Sequence, residues 1–109
     1  MKEKHEMRYL GVLTGTGVLK RRGASVANAE YELDGYSHRP DGVRISGEIE
    51  LAPDALKDVF GRPDVQLVTE GGQVFALTFS DKELRADARI AHVEITGELA
   101  VFESARRHQ

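Results

Sequence analysis

Cysteine is absent from the 109 residues, which excludes disulfides, cysteine metal ligands and a thiol nucleophile. The absence fits any redox compartment and selects none. Long apolar runs are also missing, so no segment is expected to cross a bilayer. Positive charge is not in excess: 15 Lys and Arg face 18 Asp and Glu, for a formal charge of -3. That balance argues against a generic nucleic-acid binder, which is usually basic. The start of the chain lacks the marks of a secretory leader. Glu3 and Glu6 dilute its positive charge, Gly11, Thr14, Gly15, Thr16 and Gly17 break the apolar run, and Lys20-Arg21-Arg22 stands where small residues should follow. A cytoplasmic protein is the resulting expectation.

With 40% apolar and 30% charged residues, the composition is that of a folded chain. Its length suits one domain, residues 1–109, with a single core. The clearest pattern is Val43-Arg44-Ile45-Ser46-Gly47-Glu48-Ile49-Glu50-Leu51. Odd-numbered positions are apolar or glycine and even-numbered ones polar, as in a strand with one face buried. The pattern returns from Ala91 to Val101, and Ile45-Ser46-Gly47-Glu48-Ile49 is echoed by Ile95-Thr96-Gly97-Glu98-Leu99.

Around these two strands the others fall into place. Tyr9–Lys20 reads as a strand of ambiguous phase, rich enough in glycine to expect a bulge or bend. A polar turn at Lys20–Ala24 leads into a strand over Ser25–Leu33, and Gly35–Gly42 reads as a loop. Pro53 opens a short helix, whose stripe of Ala55, Leu56, Val59 and Phe60 is stopped by Gly61 and Pro63. Val65–Thr69 and Val74–Phe79 form a hairpin across Glu70-Gly71-Gly72-Gln73. Ser80–Ala88 is polar and reads as a loop, and residues 1–7 and 104–109 read as loose tails.

The expectation is therefore an all-β domain: a small six-stranded barrel with two pseudo-equivalent three-strand halves and one short connecting helix. Closure would remove the edges that six open strands expose. Small residues at Ala27, Ala29, Gly47, Ala91 and Gly97 suit a narrow interior. The expected core is Tyr31, Leu33, Val43, Ile45, Ile49, Leu51, Leu56, Val59, Phe60, Leu67, Phe75, Leu77, Phe79, Val93, Ile95 and Leu99.

Candidate chemistry is sparse. Gly15-Thr16-Gly17 lacks both the following helix and the lysine that a phosphate loop needs. His5, His38, His92 and His108 are not at ligand spacing, so no metal and no cofactor is expected. Glu48, Glu50, Glu94 and Glu98 recur on outward faces, where carboxylates keep strands soluble. The serines show no nucleophile elbow. The basic turn, Lys20, Arg21 and Arg22, is the most distinctive polar cluster, and Arg39 joins it if strand pairing brings the two together. Arg21-Arg22 imitates the arginine half of the small barrels that bind cyclic dinucleotides. The other half, Asp/Asn-x-Ser-x-x-Gly, is missing, because Gly47 follows Ser46 directly and Arg44 takes the acid's place.

A non-catalytic protein-interaction module is the first functional expectation. Its partner would be another protein or a second copy, contacted through Val74, Ala76 and Ile90 on the outward faces of the last two strands. The alternative is a barrel holding a small anionic ligand or nucleotide through Lys20, Arg21, Arg22 and Arg39.

Overall fold

The computed structural model describes residues 6–39 and 42–96. Six strands and one helix follow in the order β1 (Glu6–Arg21), β2 (Ala24–Arg39), β3 (Gly42–Glu50), α1 (Pro53–Val59), β4 (Val65–Thr69), β5 (Val74–Phe79) and β6 (Ile90–Thr96). They form a closed barrel in the spatial order β1-β2-β3-β6-β5-β4, with every neighbouring pair antiparallel. Closure leaves one face of each strand for the core and one for solvent, as the alternating sequence requires.

The two organising strands are direct neighbours, β3 and β6. Ile45 lies opposite Ile95, Gly47 opposite Val93 and Ile49 opposite Ala91. The second junction between the halves is β1 with β4, where Val18 lies opposite Val68. Each junction thus contains one pair fifty positions apart, Ile45 with Ile95 and Val18 with Val68, where an axis relating the two meanders would pass. The sequence echo around Ile45 and Ile95 is therefore matched by the topology.

Alternation explains the core. Leu33, Ile49, Leu67, Leu77, Ala91 and Val93 are all buried, and Leu56 and Val59 of α1 join the same cluster. Val43, Phe60, Phe79 and Ile95, expected inside, are half-buried and pack on its margin. The Phe60 and Phe79 rings meet at 5.3 Å between centroids. Leu13, Leu19 and Val65 are additional core residues. Gly97 and Leu99 lie outside the described residues, as does the end of the expected last strand.

Two irregularities in the long hairpin account for the ambiguous phase of β1. Register shifts fall between Tyr9 and Gly11 and between Leu19 and Lys20. The first inserts Leu10, so odd residues C-terminal to it (Leu13, Gly17, Leu19) face the core whereas Tyr9 is turned to solvent. The tip of the hairpin is a two-residue turn with φ of 53° at Arg22 and 82° at Gly23. Two positive φ values match the twist of tightly connected strands, and glycine takes the second without strain. At Gly47 the requirement is space: a Cβ there would stand 2.0 Å from the Glu32 carbonyl oxygen.

Two expected boundaries move. Gly35–Arg39 is not a loop but the continuation of β2, held between Glu6–Gly11 of β1 and Gly42–Ile45 of β3. Backbone pairing on both sides specifies extension there without the apolar alternation that would have revealed it. Glu6 and Met7 likewise belong to β1 rather than to a tail, while residues 1–5 and 97–109 are outside the described part. α1 occupies its expected place, with Pro53 in the first turn and Gly61 at φ 74° just beyond its end.

Candidate functional site

The basic turn sits at the β1–β2 tip, and an acid meets it there. Arg21 Nε donates to Asp64 Oδ1 at 3.0 Å and Arg22 Nε to Asp64 Oδ2 at 2.9 Å, so one carboxylate bridges both guanidiniums. Asp64 precedes β4, whose Val65 pairs with Arg21. Partial burial alone would raise the Asp64 pKa, but the hydrogen bonds from Arg21 and Arg22 outweigh it and hold the carboxyl below its ordinary value. Lys20 is half-buried one residue before. A cleft of about 310 Å³ beside the tip is lined by Arg22, Gly23, Pro63, Asp64, Val65, Gln66 and Ala76.

Arg39 does not join this group. Its backbone pairs with Glu6 at the opposite end of the hairpin, roughly 50 Å of extended strand from Ala24 at about 3.3 Å per residue. The sequence reads Arg39 as part of a loop that strand pairing would have to bring to the turn; β2 instead runs on through it, away from the turn.

Nor do Val74, Ala76 and Ile90 make one patch. Val74 lies opposite Val68, Ala76 opposite Thr96, and Ile90 opposite Glu50. Thr96 and Ile90 stand at the two ends of the described β6, about 20 Å apart along the strand. Val74 and Ile90 are exposed singly, which is ordinary for a protein surface.

A different surface gathers apolar side chains. The β1 bulge puts Met7, Tyr9 and Val12 on the same outward face, 65%, 53% and 42% exposed. Tyr36 of β2 lies opposite Tyr9, their ring centroids 5.3 Å apart. The Tyr9 hydroxyl donates to Asp34 Oδ1 at 2.9 Å, and this hydrogen bond, with lesser effects of burial and nearby carboxylates, raises the phenol pKa. Toward the barrel the same face becomes acidic. Register places Glu30 directly opposite Glu50 and Glu32 directly opposite Glu48. Thr16 and Thr14 flank the glutamates on the β1 side, and Ile90 and His92 on the β6 side. These side chains, His92 apart, line a shallow groove of about 460 Å³. Glu70 borders it, accepting a hydrogen bond from Thr16 Oγ1. Across this face Glu30, Glu32, Asp34, Glu48, Glu50 and Glu94 confront Arg44 and His92.

His92 is held by carboxylates on both sides. Its Nδ1 lies 3.1 Å from Asp81 Oδ1 and its Nε2 3.2 Å from Glu48 Oε2. The His92 backbone N–H also donates to Asp81 Oδ2 at 2.9 Å, and this bond is the main reason the Asp81 pKa is lowered. Among the described residues no three acids or histidines are placed to hold a metal ion, and no helix is long and apolar enough to span a membrane.

The fold and its surface define a closed six-stranded antiparallel barrel with a basic, internally bridged tip and an acidic outer face. No family model matches the chain, and no curated protein or solved structure shows significant similarity to it.

Two features escaped the sequence reading. Asp64 is remote in sequence from Arg21 and Arg22, and no local pattern links them. The sequence shows Glu48 and Glu50 of β3 as outward positions, but their convergence with Glu30 and Glu32 of β2 depends on strand register, which alternation alone does not give.

Proposed function

We propose that this chain is a non-catalytic protein-interaction module whose contact surface is the outer face of β1, β2 and β3. The observation that carries this reading is the group of Met7, Tyr9 and Val12, exposed on one face beside a groove, with half-buried Tyr36 against Tyr9. Tyrosine and methionine are enriched at interfaces, where a rigid aromatic side chain buries much area at small entropic cost. Charge selects between the two kinds of partner. An isologous contact of this face with a second copy would lay acidic strands against acidic strands. A foreign protein is therefore the partner, and the chain by itself sediments as a monomer.

The test is site-specific crosslinking with a photoreactive phenylalanine in place of Val12, and in place of Lys57 on α1 as the control. A defined adduct at position 12, absent at position 57 and diminished by Tyr9→Ser with Tyr36→Ser, supports the reading. Identical adducts at both positions, or none at 12, contradict it.

A further inference from the structure

The partner's chemistry can be read from the same face, and this step rests on the interaction reading above. We infer that the face receives an extended, lysine- or arginine-rich polypeptide segment with one aromatic or large aliphatic side chain. The cations would lie over the groove of Glu30, Glu32, Glu48 and Glu50, and the anchor would lie against the Tyr9–Tyr36 pair.

Three observations point to this occupant. First, the exposed apolar end and the acidic groove form one continuous surface. From Thr16 to Met7 β1 spans about 30 Å, which about ten extended residues would cover. Second, among the described residues the charge is one-sided: six carboxylates against Arg44 and His92, with Glu70 at the border. A cationic partner is steered to such a face and an acidic one is repelled. Third, the glutamates stand in directly opposed pairs, Glu30 with Glu50 and Glu32 with Glu48. Like charges opposite one another on adjacent strands destabilise a sheet. Glu48 Oε2 lies 3.2 Å from His92 Nε2; among the described contacts Glu30, Glu32 and Glu50 have no basic side chain so placed. A sheet built only for stability would alternate the signs. Repulsion retained at four neighbouring positions is relieved when a cationic segment lies between them.

Fluorescence anisotropy decides the matter with two labelled peptides of alternating lysine and threonine, about ten residues long to match the face. One carries a central tryptophan and the other does not. The wild-type chain is expected to bind both, the tryptophan peptide more tightly, with affinity falling as salt rises. Replacing the four groove glutamates with glutamine should weaken both by at least about tenfold, since each lost charge removes attraction that the groove concentrates. Tyr9→Ser with Tyr36→Ser should abolish the advantage of the tryptophan peptide and leave the other unchanged. Circular dichroism shows whether each variant keeps its sheet, and Lys57→Gln serves as a surface control. Full affinity in the glutamine variant overturns the inference. So does equal binding of a glutamate-for-lysine peptide, or spermine binding as tightly as the tryptophan peptide, which would make the groove a polyamine site. If these peptides fail while the adduct at position 12 persists, the partner is not cationic and the interaction reading survives alone.

Discussion

The opposed glutamates make a quantitative prediction about stability. Glu30→Lys replaces one repulsive pair on the outer face with an attractive one, because Glu50 is its direct neighbour on β3. Two unit charges about 5 Å apart interact by about 0.8 kcal/mol in a water-like dielectric. Directly opposed cross-strand pairs contribute about 0.2–1 kcal/mol. Removing the repulsion and adding the attraction should together stabilise the fold by about 1 kcal/mol. Intrinsic strand preference does not decide the outcome, since glutamate and lysine are similarly disfavoured in strands. With a urea dependence of about 1–2 kcal/mol per molar for a chain of this size, the midpoint should rise by about 0.5–1 M. The same comparison in 1 M salt, where the screening length falls to about 3 Å, should show most of the gain gone. In a Glu50→Gln background the effect should shrink, the coupling expected of neighbouring residues. A destabilised Glu30→Lys, or a gain unaffected by both salt and Glu50→Gln, would refute the electrostatic reasoning. The stabilised variant should also bind the cationic peptides more weakly, since natural sites often trade stability for function.

Other consequences are as direct. Gly47→Ala should destabilise by at least about 2 kcal/mol in urea unfolding, because its methyl group would collide with the Glu32 backbone rather than with a yielding side chain. Asp81→Asn should flatten the acid side of the stability profile. The folded Asp81 pKa lies below its ordinary 3.8, so its contribution is full above that value and is lost as pH falls through the lower, folded one. Asp64→Ala should release Arg21 and Arg22 and raise the affinity of the tip for inorganic phosphate, measured by amide chemical shifts at Arg22 and Gly23. An unchanged affinity would mean that Asp64 does not hold the guanidiniums back.

Much of the architecture was legible because alternation is local. The strand from Val43 to Glu50 and its echo from Ala91, the turn at Gly71-Gly72 and the helix at Pro53 all follow from neighbouring residues. A barrel-like arrangement follows less directly, from the edges that two three-strand halves must hide, whereas full closure and the pairing of β3 with β6 come from the structure. What stayed illegible depends on register. Leu10 shifts the face of everything N-terminal to it, so Tyr9 could not be assigned to solvent from its parity. Gly35–Arg39 carries no apolar alternation to announce a strand, so the sequence alone leaves Arg39 in a loop, whereas β2 runs on and takes it to the far end of the hairpin. The basic tip was visible as a cluster, whereas its counter-ion Asp64 arrives through the β1–β4 pairing. The acidic face is the same case: Glu48 and Glu50 read as outward, and only the β2–β3 register sets them against their partners, Glu32 and Glu30.

The most direct measurement is a two-dimensional amide spectrum of the labelled chain titrated with the lysine-threonine peptide that carries tryptophan. The account predicts saturable shifts confined to the outer face, at Tyr9, Val12, Thr14, Thr16, Glu30, Glu32, Tyr36, Glu48 and Glu50, with Lys20–Gly23 and α1 silent. Shifts centred on the basic tip, or scattered evenly over the barrel, would contradict it.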